Sequence, residues 1–208
     1  MPLSYRETIA DNIQILLWEI SEPEQALQEG LVLSNIALER LSKRKSSVHR
    51  KGYLAIRQLL KTLDVQPLTL QYNPNGAPYL IDGRFISITH TKNIAAVALS
   101  SNSVGIDLEQ YHEKIKKISQ RFLSSDESSD FKKETDIYFL TQIWTAKEAL
   151  YKIFGTPGID FKKQLLIYPF EEGDKEVIGS IFHQKKEFKY TLHFRYFNNY
   201  CLTLATPL

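Results

Sequence analysis

Residues 84–109 read RFISITHTKNIAAVALSSNSVGIDLE. Three short apolar runs, 84–89, 94–100 and 104–109, are each joined to the next by a few polar residues, a pattern that predicts strands in an antiparallel meander. Helical signals lie on both sides. Upstream, Ser21-Glu22-Pro23-Glu24 has capping-box spacing with a proline in the first turn, which predicts a helix start. A longer helix follows from Val48, Ile56, Leu59 and Leu63, with Arg50, Arg57 and Lys61 on another face, so one side is greasy and the other basic. After Pro67 the period changes, with Leu68, Leu70 and Tyr72 alternating before the turn Asn73-Pro74-Asn75-Gly76.

Downstream, residues 114–154 read as helical with a break near Ser124. The part after Asp136 is apolar almost all round and is predicted to be buried, ending at Gly155 with Pro157 just beyond. Strands are predicted again at 164–168, 176–182, 188–197 and 200–206, with Asn198-Asn199 as a two-residue hairpin turn. Each half thus runs helices first and strands second. The expected fold is α+β: two similar halves, residues 1–104 and 105–208, related by pseudo-two-fold symmetry, each packing helices on a small antiparallel sheet and meeting along a cleft.

Composition bounds the function classes. With 208 residues, 43% hydrophobic, 24% charged and only 9 Gly and 8 Pro, the chain is globular rather than disordered or collagenous. A formal charge of +2 gives no basis for wholesale nucleic-acid binding. Cys201 is the only cysteine, which excludes an intramolecular disulfide and a cysteine zinc cluster, and its apolar run reads as a strand with a small buried hydrophobe. No basic segment followed by an apolar run opens the chain and no run approaches 18 apolar residues, so a cytoplasmic protein without membrane contact is expected.

The chemistry concentrates in two places. In Val104-Gly105-Ile106-Asp107-Leu108-Glu109 the two acids share one strand face, with α-carbons about 6.6 Å apart, close enough to converge on one cation. Gly105 leaves room beside them. The other reading is a solvated strand edge carrying two surface acids. In the buried helix, Glu148 lies one turn after Trp144 and one turn before Lys152, with Lys147 adjacent. A Glu148 to Lys152 surface ion pair is the alternative there.

Gly105-Ile106-Asp107-Leu108-Glu109 followed by Trp144-Thr145-Ala146-Lys147-Glu148-Ala149 and Lys152 resembles the two signature motifs of the 4′-phosphopantetheinyl transferase superfamily, in its surfactin-synthetase-activating branch. The resemblance extends to Ile86-Ser87-Ile88-Thr89-His90 and to Arg121-Phe122-Leu123-Ser124 with Glu127, covering roughly residues 43–163. It implies Mg²⁺-dependent transfer of phosphopantetheine from coenzyme A to a serine of an apo acyl or peptidyl carrier protein, releasing adenosine 3′,5′-bisphosphate. On that pattern Asp107, Glu109 and Glu148 are the metal ligands, and Lys147 and Lys152 steady the diphosphate, with Glu148 and Lys152 serving catalysis. Thr89 and His90 contact phosphate, and Arg50 and Arg57 hold the 3′-phosphate of coenzyme A, with Lys43, Arg44 and Lys45 nearby. Glu127 has two readings, a helix cap with Ser124 or a group that orients or deprotonates the serine. A monomer is expected, and a catalytically silent relative that binds coenzyme A or a carrier is the competing reading.

Three departures from the pattern stand out. Gly76-Ala77-Pro78 replaces a Gly-Lys-Pro turn, Thr89 replaces a serine, and Gly155-Thr156-Pro157-Gly158 is one residue longer than Gly-x-Gly.

Overall fold

Alternation of half-buried and exposed side chains begins at the first described strand, β1 (Leu3–Ile9), which pairs antiparallel with β2 (Ile13–Glu19). The computed structural model describes residues 3–9, 13–131, 135–171 and 173–208. The chain divides into two compact units, Met1–Asn102 and Ser103–Leu208.

In the first unit three helices follow the hairpin: α1 (Glu24–Gln28), α2 (Asn35–Ser42) and α3 (Ser47–Thr62). The small hairpin β3 (Leu70–Tyr72) and β4 (Pro78–Leu80) closes through the expected turn, where Asn73 N–H donates to the Ala77 carbonyl at 3.0 Å. Then come β5 (Phe85–His90) and β6 (Ile94–Ser100). The main sheet has the order β1-β2-β6-β5, and Leu54, Leu59 and Ile56 of α3 join Leu16, Ala95 and Val97 in its core.

The second unit opens on β7 (Gly105–Gln110). Helices α4 (Lys114–Ile118), α5 (Ser125–Phe131) and α6 (Ile137–Phe154) follow. Strands β8 (Leu165–Ile167), β9 (Glu176–His183), β10 (Lys186–Phe197) and β11 (Tyr200–Pro207) complete a five-stranded sheet of order β7-β11-β10-β9-β8. Every pairing in these sheets is antiparallel. Helix α6 starts at Asp136, whose carboxylate accepts from Tyr138 N–H at 2.8 Å, and ends at Gly155 with φ of 67°. Its apolar circumference is buried: Leu140, Ile143, Ala146 and Leu150 pack with Ile181, Leu192 and Phe194. The fold class is therefore α+β with antiparallel sheets and packed helices. Among the described residues no helix is long and apolar enough to cross a membrane.

Three sequence expectations need correction. The meander stops at two strands, because β6 already has β2 on one side and β5 on the other, and β7 pairs instead with β11. Helices do not lead either unit, since the β1-β2 hairpin precedes those of the first and β7 those of the second. The first has its origin in β2, read from sequence as no element at all, which fills the position beside β6. Helix α1 has Pro23 at its N-cap and no side-chain cap, so Ser21 lies outside the helix instead of closing a capping box.

Cys201 sits on β11 with no exposed surface, and burial pushes its thiol up to about 12. The native chain should therefore resist a water-soluble disulfide reagent at pH 8 and release one thiol equivalent only when denatured. Stoichiometric labelling of the folded chain would contradict this placement.

Candidate active site

The site of the second unit depends on how near α6 comes to β7. An ideal Cβ at Gly105 would fall onto the carbonyl oxygen of Ala149 and within 2.8 Å of the Ile153 amide nitrogen. The room left by Gly105 is thus filled by helix backbone rather than kept beside the acids as the sequence suggested. Gly105, Asp107 and Glu109 alternate with Ile106 and Leu108 along the strand, so both acids lie on the face that meets α6. The register pairs Asp107 with Thr203 and Glu109 with Cys201 on β11. Asp107 is buried, and Glu109 is partly so.

Helix α6 supplies the facing groups. Lys152 donates from Nζ to Asp107 Oδ1 at 2.7 Å and to the Ile106 carbonyl at 2.9 Å, so its ammonium goes to the strand and not to Glu148 in an i,i+4 pair. Burial first, then the charge of Asp107, push the Glu109 carboxyl up to about 7. The nearby Trp144 and the charge of Lys152 pull the other way. Glu148 is likewise raised to about 7, by burial and then by Asp107, with Lys152 opposing. Three carboxyls on two facing elements therefore repel one another in a partly dehydrated place. Trp144 was missed as a neighbour of Glu109. Its position four residues before Glu148 was the available signal.

Lys147 and Glu127 form a second, separate cluster. Both are 0% exposed and paired at 2.8 Å. Lys147 Nζ also donates to the carbonyls of Phe122 at 2.6 Å and Phe161 at 3.0 Å. Burial pulls its ammonium below the ordinary lysine range, against the pull of Glu127. Glu127 accepts from Ser124 N–H and Ile167 N–H while its own N–H donates to Ser124 Oγ, the reciprocal pattern of a capping box. The structure thus spends both side chains on joining α5, α6 and β8, while Asp107, Glu109, Glu148 and Lys152 are brought together elsewhere in the unit.

The first-unit candidates lie on α3 and β5. Arg50 is held by the Glu24 carboxylate, donating from Nε at 2.9 Å, and by the Leu41 carbonyl at 3.1 Å. His90 ends β5 with its ring against Gly52, where an ideal Cβ would come within 2.8 Å of Cγ, and 6.1 Å from the His49 ring. Thr89 pairs with Ala96 and is half-buried. Arg57 departs from the basic-face expectation: it is 7% exposed, stacks 3.6 Å from the Tyr53 ring centre, and donates to Tyr53 and Tyr72 hydroxyls at 2.6 and 2.5 Å. Two phenols and an aromatic face draw this guanidinium inward.

Hard oxygen donors that crowd one another, with Glu109 and Glu148 raised by burial and by the charge of Asp107, suit a divalent cation such as Mg²⁺, whose charge would relieve the repulsion. The donor chemistry of Asp107, Glu109 and Glu148 fits that ion. Among the described residues no three acidic, histidine or cysteine side chains already stand in metal-holding geometry, and Lys152 bonds one Asp107 oxygen directly.

The family model of the 4′-phosphopantetheinyl transferase superfamily matches residues 103–205, which contain all four of these groups. No curated protein matches the chain.

Gly105→Ala should cost about 2–3 kcal/mol in urea unfolding, because backbone rather than a pliable side chain must give way. An unchanged midpoint would mean α6 does not depend on this contact. A pH test addresses the acids. A carboxyl raised in the folded state favours folding fully below its unfolded value, near 4.5, and loses that advantage as pH rises through about 7. In EDTA, Glu148→Gln should therefore stabilise the chain relative to the parent by about 2 kcal/mol at pH 8 and much less at pH 5. An equal effect at both values would remove the raised carboxyl.

Proposed function

The chain belongs to the 4′-phosphopantetheinyl transferase superfamily through residues 103–205, and from that premise we propose that it loads an apo acyl or peptidyl carrier protein, Mg²⁺ assisting, with adenosine 3′,5′-bisphosphate leaving. Membership carries the general reaction, phosphopantetheinyl transfer from coenzyme A; the carrier, the metal and the product are the proposal. One observation supports it above the others: Asp107 and Glu109 on β7 face Glu148 and Lys152 on α6 across the close contact at Gly105.

Asp107, Glu109 and Glu148 would hold the cation, which supplies charge neutralisation on the diphosphate oxygens. The serine oxygen attacks the phosphorus bearing the pantetheine arm, and the bond to the adenosine bisphosphate oxygen breaks. Glu148, four residues before Lys152 on α6, would take the serine proton. Lys152 exchanges Asp107 for the diphosphate and compensates the charge that develops on the leaving phosphate. Glu127 and Lys147 act at a distance, by fixing the frame of α6. Arg50, Thr89 and His90 are assigned to phosphates of coenzyme A on the motif pattern, with Glu24 as the anion that Arg50 must release.

Purified chain, Mg²⁺, coenzyme A and a panel of fatty-acid, polyketide and peptide carriers should give a carrier heavier by one phosphopantetheine in intact mass. Asp107→Ala and Glu148→Ala should each remove that gain, at least a hundredfold in rate, with circular dichroism unchanged. Binding of coenzyme A without a mass gain on any carrier would favour the silent relative, for which Ala77 in place of a lysine is the supporting feature.

A further inference from the structure

Within the first unit, the C-terminal half of α3 borders a cavity of about 240 Å³ that none of the assignments above uses. Its walls include Leu31, Val32, Leu33, Ile36, Leu60 and Leu70, with Arg57 and Tyr72 as polar members. Arg57 follows Arg50 by seven residues, about 10 Å along the helix, so this cavity lies away from the Arg50 and Gly52 stretch.

Arg57 is the unusual wall. It is nearly buried, and its Nη2 is spent on the two tyrosine hydroxyls, whereas Nη1 is buried with no hydrogen-bond partner among the described residues. No carboxylate pairs with it among those residues. Further positive charge surrounds it: Arg44 stacks 4.0 Å from the Tyr53 ring centre and Arg40 3.6 Å from that of Tyr72. Lys61 and Asp64 also reach the cavity, Lys61 donating to the Gly30 carbonyl at 2.8 Å and Asp64 standing exposed in water. An unsatisfied buried guanidinium is costly, and a carboxylate is the partner that relieves it best. Apart from Ser34 and Gln66 the remaining wall is apolar, and it includes the exposed Val32, at 78%, and Ile36, at 41%.

We propose that this cavity binds a small amphipathic anion, a carboxylate on a short aliphatic body, with the head on Arg57 and the body along the leucine wall. The proposal is independent of the transfer reaction.

Sodium octanoate is the probe, with octan-1-ol and inorganic phosphate as controls, read by calorimetric titration and thermal shift on the full chain. Octanoate should bind at one site and raise the melting temperature, while octanol and phosphate should bind at least tenfold more weakly. Arg57→Met should weaken octanoate tenfold or more. Val32→Asp, at an exposed position in the wall, should weaken octanoate tenfold or more, and it decides the matter should Arg57→Met fail to fold. Octanol or phosphate binding as tightly as octanoate, or a folded Val32→Asp binding octanoate like the parent, would overturn the proposal.

Discussion

Helix α6 and strand β7 touch backbone to backbone at Gly105, and the chemistry of the second unit depends on that contact. Any side chain there would push the helix outward. With it would go Glu148 and Lys152, since both are carried rigidly on α6 within one turn of Ala149. The glycine has no unusual φ to maintain. Its value lies in steric absence, which lets an apolar helix rest directly on a strand bearing two carboxyls.

That closeness has an electrostatic cost, because the carboxyls are dehydrated together while Lys152 offsets only part of the repulsion. The unit contains two solutions to buried charge. Around Asp107 the balance is left incomplete, with three carboxyls standing against one ammonium. Around Lys147 it is complete: one ammonium, one carboxylate and two carbonyls, with the remaining carboxylate capacity taken by backbone N–H groups. The incomplete cluster is suited to chemistry and the complete one to holding the frame.

Much of this was legible in the sequence, and the reasons differ by element. Helix α6 announced itself through an apolar circumference between Asp136 and Gly155, and β10 and β11 through alternation around Asn198-Asn199. The strand motif and the helix motif were each readable, but not the contact joining them, since a glycine in a strand does not say what approaches it. Strand β2, Ile13–Glu19, escaped because its run of apolar residues lacks a period-two pattern, being buried across Ile15, Leu16 and Leu17. With β2 unseen, β7 was assigned to the wrong neighbour. Arg57 followed the helical period of the basic face, yet two tyrosines drew it inward, a tertiary effect that spacing alone does not reveal.

Lys147 and Glu127 have a consequence for how this sequence can change. Neither charge has exposed surface to fall back on, so removing one strands the other in an apolar interior at a cost of about 3–5 kcal/mol, a large share of an ordinary domain's margin. Drift through single substitutions is thereby closed at both positions, although a matched apolar couple could be tolerated. A mutational scan that varies one position at a time would score both as irreplaceable on structural grounds alone.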